Sequence, residues 1–208
     1  DTHIKSALKT GSNPMQAAIS ALPKRLDRRR RAALILHDMG ESTVAQMVLE
    51  SAIESDEISR KISAILLLRD GKYETAWERI EPISKRECEM ARVGSKALLG
   101  MALSGDYSGL KAMEQLKIAI DLCGREESLA NNLILARLIE GSADALVEGE
   151  LMMRRKPGNA ALRRWVIKTA LKNKLYAKAQ MHLEELLRKN QATESEKRTL
   201  YLMQTNRD

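Results

Sequence analysis

The feature that most restricts this chain is a recurrence. In residues 67–83, "LLRDGKYETAWERIEPI", an apolar run ends in a charged tip at Gly71. Tyr73, Ala76 and a second apolar run follow. The layout returns in "MALSGDYSGLKAMEQLKIAI", around Gly105 and Tyr107. It returns again in "TALKNKLYAKAQMHLEELL", where Lys174 stands in the Gly position before Tyr176 and Ala179. "ARLIEGSADALVEGELMM" turns at Gly141, and "LILHDMGESTVAQMVLESAI" turns at Gly40. The pivots at 40, 71, 105, 141 and 174 are separated by 31, 34, 36 and 33 residues. Recurrence at a nearly fixed period is the signature of a repeat array. Each pivot is expected to be a helix end in the left-handed conformation, where Gly carries no Cβ penalty. Ala76 and Ala179 would let paired backbones approach closely. Tyr73, Tyr107 and Tyr176 would wedge between helices with their hydroxyls in water.

Composition supports helices throughout. The 208 residues contain no Phe and 3% aromatics, and Ala, Leu, Arg, Lys, Glu and Met dominate. These are strong helix formers, whereas strands favour β-branched and aromatic residues. The periodicity predicts helices near 14–22, 24–39, 42–54, 56–70, 73–82, 85–104, 107–122, 126–140, 142–156, 159–173, 175–190 and 193–205. Asn13-Pro14 reads as a capped start with Pro in the first turn. Asp56 and Thr193 read as N-caps, with Glu196 completing a capping box. Pro82 should end or kink its helix near Glu81. Pro157-Gly158 should break the chain before Asn159.

The residues at these hinges (Gly71, Tyr73 and Ala76; Gly105 and Tyr107; Tyr176 and Ala179; Pro157 between units) resemble the tetratricopeptide repeat family over roughly residues 40–190. The sequence departs from the family pattern near Ile167, where a small residue is expected in the middle of a first helix. The Gly109 region is shifted in register as well. The resemblance implies an all-α, right-handed α–α superhelix, a tetratricopeptide-like solenoid of about five helical hairpins plus a capping helix. It implies one domain over 1–208: N-terminal basic helices at 1–39, hairpin repeats at 40–190 and a C-terminal cap at 191–208. It also implies a concave groove, lined by the first helix of each pair, that holds a partner peptide or helix. The family's carboxylate-clamp subgroup needs Asn and Lys at set positions, and Ile65 stands where its first Asn would fall. A generic groove for an acidic partner is the reading left.

Two groups of residues are candidates for binding. Arg164, Lys168 and Lys172 recur every four residues, so they form one stripe on a first helix. Asn131 and Asn132 lie on the preceding first helix. Together these five offer charge-assisted and amide hydrogen bonds to an acidic or C-terminal segment. The second group, Lys24, Arg25, Arg28, Arg29, Arg30 and Arg31, is the densest basic run. It suits phosphates of nucleic acid or anionic lipid. Four consecutive residues cover every face of a helix, so at least one Arg must lie near the apolar side. Charge is uneven: residues 1–31 carry net +6, 32–150 net −8 and 151–208 net +9. Basic ends and an acidic middle also permit self-association.

Catalysis finds little support. His3, His37 and His182 are scattered, in no metal-ligand spacing, and are expected at the surface or half-buried. The neighbours Glu126-Glu127 and Glu184-Glu185 diverge around their helices and read as solvated faces. The expectation is a non-enzyme without cofactor or metal: an adaptor, co-chaperone or assembly factor for another protein. Nucleic-acid binding through the basic ends is the alternative. Cys88 and Cys123, 35 residues apart, read as core thiols in a reducing compartment. A bacterial cytoplasm is expected, with a periplasmic or envelope-attached domain as the alternative. No apolar run reaches the length of a membrane span. The chain begins at Asp1, which fits a processed protein or a fragment.

Overall fold

The computed structural model describes residues 26–53, 56–105 and 107–205. The expected helix at 14–22, its Asn13-Pro14 start, His3, Lys24 and Arg25 lie outside the described residues. Among the described residues every regular element is helical. The chain divides into two compact units, 1–100 and 101–208.

The first unit holds α1 (Leu26–Asp38), α2 (Ser42–Ile53), α3 (Glu57–Arg69) and α4 (Tyr73–Ile80), then a single 3-10 turn at Glu81–Ile83. Helix α5 (Cys88–Ser104) follows, and the division falls within it. The second unit holds α6 (Gly109–Cys123), α7 (Glu127–Ile139), α8 (Ala145–Arg155), α9 (Ala160–Lys172), α10 (Tyr176–Arg188) and α11 (Glu194–Thr205). Helices adjacent in sequence pack as antiparallel neighbours, as in α1/α2, α3/α4, α7/α8 and α9/α10. First helices of successive pairs also pack on each other, α1 with α3 and α7 with α9. That pattern is the helical-hairpin array expected from the recurrence.

All five sequence pivots sit in left-handed backbone. Gly40, Gly71, Gly105 and Gly141 have φ of 86, 72, 87 and 81°, and Lys174 has φ 59°. The closure is the same at four of them. At Gly40, its N–H donates to the His37 carbonyl and the Glu41 N–H reaches back to Leu36, each at 2.9 Å. Equivalent bonds close the ends at Gly71, Gly141 and Lys174. Each pair satisfies carbonyls that the helix end would otherwise leave bare. Asn190, φ 53°, closes α10 in the same way, with Gln191 N–H on the Leu186 carbonyl at 2.9 Å. The residue is an Asn, which tolerates this region and carries no Gly signal in the sequence.

Local signals behave as read. Asp56 caps α3 by accepting from the Ser59 N–H at 3.0 Å. Thr193 and Glu196 form the reciprocal box: Thr193 N–H donates to Glu196 Oε2 at 2.7 Å and Glu196 N–H to Thr193 Oγ1 at 3.3 Å. Pro82 ends α4 at Ile80 and occupies the 3-10 turn, where its missing N–H costs nothing. Ala76 and Ala179 are fully buried. The tyrosine wedge holds only at Tyr73. An atom added to Gly100 of α5 would lie 2.4 Å from the Tyr73 ring, so the ring lies flat on bare backbone. Tyr107 and Tyr176 are exposed instead, Tyr107 with the Lys111 ammonium 4.9 Å from its ring centre.

Two other expectations need correction. Cys88 and Cys123 are both disulfide-bonded, and neither is a free thiol. His182 is buried, 5% exposed, rather than at the surface or half-buried. The capping helix α11 sends Leu200 into the core and leaves Tyr201 and Leu202 exposed.

The core follows the pairs. In the first unit, Ala32, Ala33 and Leu36 of α1 meet Val44, Val48 and Leu49 of α2, with Leu66 beneath. In the second, Leu138, Leu146, Val166, Leu183 and Leu186 form one cluster that Leu200 closes. The pivots set the geometry of these clusters, and their backbone gives opposite expectations at two sites. Gly71→Ala forces a methyl into left-handed backbone and should cost about 1–2 kcal/mol. Lys174→Gly removes such a penalty and should stabilise by up to about 1 kcal/mol, less the entropy Gly adds to the unfolded chain. Urea unfolding midpoints at constant slope would measure both.

Candidate functional site

The candidate groove residues lie on α7 and α9, which pack side by side as first helices of successive pairs. Helix α9 starts at Asn159, whose side chain accepts from the Leu162 N–H at 3.0 Å. Leu162, Val166, Ile167 and Ala170 face the core, which turns Ala161, Lys168 and Lys172 outward and leaves Trp165 half-buried against the same cluster. The three basic residues of the stripe then meet different fates. Arg164 Nε donates to Glu196 Oε1 at 2.7 Å, and its Nη2 to the Gln191 carbonyl at 2.7 Å, so it ties α9 to α11. Lys172 Nζ donates to the Glu140 carbonyl at 2.6 Å and covers the exposed end of α7. A cation at a helix C-terminus is favourably placed. Lys168 alone keeps its ammonium outward, 4.4 Å from the Trp165 ring centre. Asn131 and Asn132 are half-buried on α7.

The basic run divides in the same manner. Arg30 is bound to Asp56 through two bonds, Nη2 to Oδ1 at 2.6 Å and Nε to Oδ2 at 3.0 Å, with Ser59 also in reach. It is the arginine that had to fall near the apolar side. Arg28 and Arg31 are exposed and Arg29 is half-buried. Burial would push the Asp56 carboxyl up, but the Arg30 and Ser59 hydrogen bonds outweigh it and hold Asp56 below its ordinary value.

Sequence reasoning missed a buried charged cluster among α8, α9 and α10. Arg163 Nη1 lies 3.2 Å from His182 Nδ1. A guanidinium only donates, so Nδ1 must accept and the ring proton sits on Nε2. That Nε2 faces Glu150 Oε1 at 3.4 Å, and Lys178 Nζ donates to the same oxygen at 2.6 Å. Burial lowers the His182 pKa most, and the nearby Arg163 charge lowers it further against the pull of Glu150. Burial raises Glu150, but the Lys178 and His182 hydrogen bonds outweigh it and hold the carboxyl low. The signal was in the spacing. Glu150 and His182 are 32 residues apart, one repeat, so they occupy equivalent levels of successive second helices. Among the described residues no group of His, Cys, Asp or Glu has a metal-binding arrangement. No described helix is long and apolar enough to cross a membrane.

No family model and no curated protein matches this chain. Among solved structures, the crystal structure of the P58(IPK) TPR domain is similar, with a TM-score of 0.39 at 14% identity. The match covers 98% of this chain and 63% of that one. So distant a likeness carries nothing about what the chain binds, and the hairpin reading rests on the pivots and packing described above.

The cluster makes stability depend on acid. The unfolded chain takes a proton on His182 at the ordinary histidine value, while the folded chain resists it. Stability is therefore full above about pH 6.5 and declines as pH falls below it. Glu150, Asp56 and Glu196 are all held low, so a second decline follows below the ordinary carboxylate range. The urea midpoint should fall between pH 7 and pH 5 in the wild type, over the histidine range. His182→Gln should be less stable at pH 7 but show a flat midpoint over that interval.

Proposed function

We propose that this chain is a non-catalytic protein-interaction module that holds a peptide or helix against the first helices α7 and α9. The observation that carries this reading is the exposed Lys168 ammonium over Trp165 on α9, with the half-buried Asn131 and Asn132 on the neighbouring first helix α7. A cation backed by a half-buried indole offers charge and flat apolar area together, the combination that dominates binding energy at interfaces. Preformed hairpins supply a rigid surface, so the partner alone loses freedom on docking. Arg164 and Lys172 belong to the support beneath that surface, since each is bonded within the chain. The partner is an acidic protein segment, and the role is that of an adaptor, co-chaperone or assembly factor. Self-association is the secondary arrangement.

The test compares captured partners from native cells for wild type, Lys168→Glu and Trp165→Ala, each checked for unchanged helicity. Both variants should lose the same proteins, by about tenfold or more in yield. An unchanged partner set removes the groove. Capture that disappears on nuclease treatment and weakens steeply with salt would assign function to the basic run and to nucleic acid instead.

The cysteines bear on where this happens. Disulfides persist in oxidising compartments and are rare in the cytosol. The oxidised state of Cys88 and Cys123 therefore favours the periplasmic or envelope-attached alternative over the cytoplasm. Intact-mass measurement after thiol alkylation should find no labelled cysteine until a reductant is added. Two alkylated thiols without reductant would return the protein to a reducing compartment.

A further inference from the structure

A cavity of about 400 Å³ opens in the first unit between the second helices α2 and α4. Its size falls within the range of small-ligand sites. We propose that it binds a small organic monoanion, a carboxylate on a short apolar stem. The apolar wall is Met47 of α2 and the nearly buried Leu67 at the end of α3. The polar edge is Lys72, Thr75 and Arg79, with one acid, Glu50.

Donors at this edge are in excess. Arg79 uses a single nitrogen, Nη2, to reach both Glu50 oxygens, each at 2.8 Å. Its Nε and Nη1 remain for another acceptor. Lys72 is exposed, with no ion pair to it among the described residues, and Thr75 lines the same edge. Glu50 cancels one of the two cations, so the edge carries one uncompensated positive charge. A monoanion neutralises it. A neutral ligand leaves the charge, and a dianion reverses its sign. A carboxylate accepts from Lys72 and the free side of Arg79 at once, while its stem displaces water from Met47 and Leu67. The cavity does not depend on the groove reading, because it uses different helices in a different unit. The carboxylate arrives either as a free small acid or as an acidic side chain of a peptide.

Amide chemical shifts of the ¹⁵N-labelled full chain, titrated with 4-methylpentanoate, test the proposal. Saturable shifts should centre on residues 43–50 and 72–79. The neutral 4-methylpentanamide should bind about tenfold more weakly, and Lys72→Met should weaken the acid by a similar factor with the rest of the spectrum unchanged. Thr75→Val gives a second, smaller loss should Lys72→Met perturb the fold. A capped Leu-Asp-Leu peptide separates the sources: if it competes, the site reads a peptide side chain, and if it does not, the site reads a free acid. Equal binding of acid and amide would overturn the proposal. So would wild-type affinity in a folded Lys72→Met, or shifts that grow linearly without saturating.

Discussion

Every helix in this protein ends with carbonyls that have no partner in the next turn, and the fold is organised around satisfying them. Left-handed residues close the end of α1, α3, α7, α9 and α10 through the same pair of backward bonds. The remaining acceptors are met from the next repeat. Lys172 donates to the carbonyl of Glu140, Asn173 to Gly141, Thr169 to Leu138 and Lys189 to Pro157. Partners in these bonds are 31 or 32 residues apart, so in the second unit the end of α9 caps the end of α7 and Lys189 closes the loop at Pro157. The tie at the first pair is polar as well: Asp70 accepts from Ser42 at 3.1 Å and contacts His37 Nε2 at 2.9 Å. A change at one pivot therefore disturbs two repeats, the one it closes and the one that docks on it.

The same bonds explain why charge along the sequence was a poor guide to the surface. The segment from 151 onward is strongly basic, but several of its cations meet acids about one repeat upstream or downstream. Arg155 reaches Glu127, Lys178 reaches Glu150 and Arg164 reaches Glu196. The exposed Arg155–Glu127 pair adds little to stability, since water and salt screen it. The half-buried Lys178–Glu150 pair is different, because removing either partner strands the other beside His182. Net charge per segment thus counts side chains that are already committed within the chain.

Legibility tracked the range of the interaction. Helix ends are local, so Asp56, Pro82, Thr193 with Glu196, and the five pivots could be read from neighbours in sequence. Lys174 is instructive, because the spacing and the following Tyr176 and Ala179 marked it despite its residue type, and its φ of 59° bears that out. Asn190 was hidden because its residue type differs and no repeat follows it in the pattern. Orientation about a helix was less legible. Tyr73 is a wedge because Gly100 of another helix leaves room for its ring, a fact that no local window contains. Tyr107 and Tyr176 share its position in the pattern and face water. The buried cluster failed for the same reason: Arg163 and His182 look like surface residues until α8, α9 and α10 are brought together.

One consequence for function follows from how the stripe on α9 divided. Spacing by four placed Arg164, Lys168 and Lys172 on one face, which is geometrically correct. The ends of that face lie where neighbouring elements arrive, so Arg164 is taken by α11 and Lys172 by the end of α7. Only the middle residue is beyond their reach. The central turn of α9 still holds the repeats together on its inner side, where Val166 and Ile167 enter the core and Thr169 bonds the Leu138 carbonyl; its outer side is the place not bonded to a neighbouring element among the described residues. Lys168 over Trp165 occupies that place, and the residues bonded on either side of it fix the surface on which it stands.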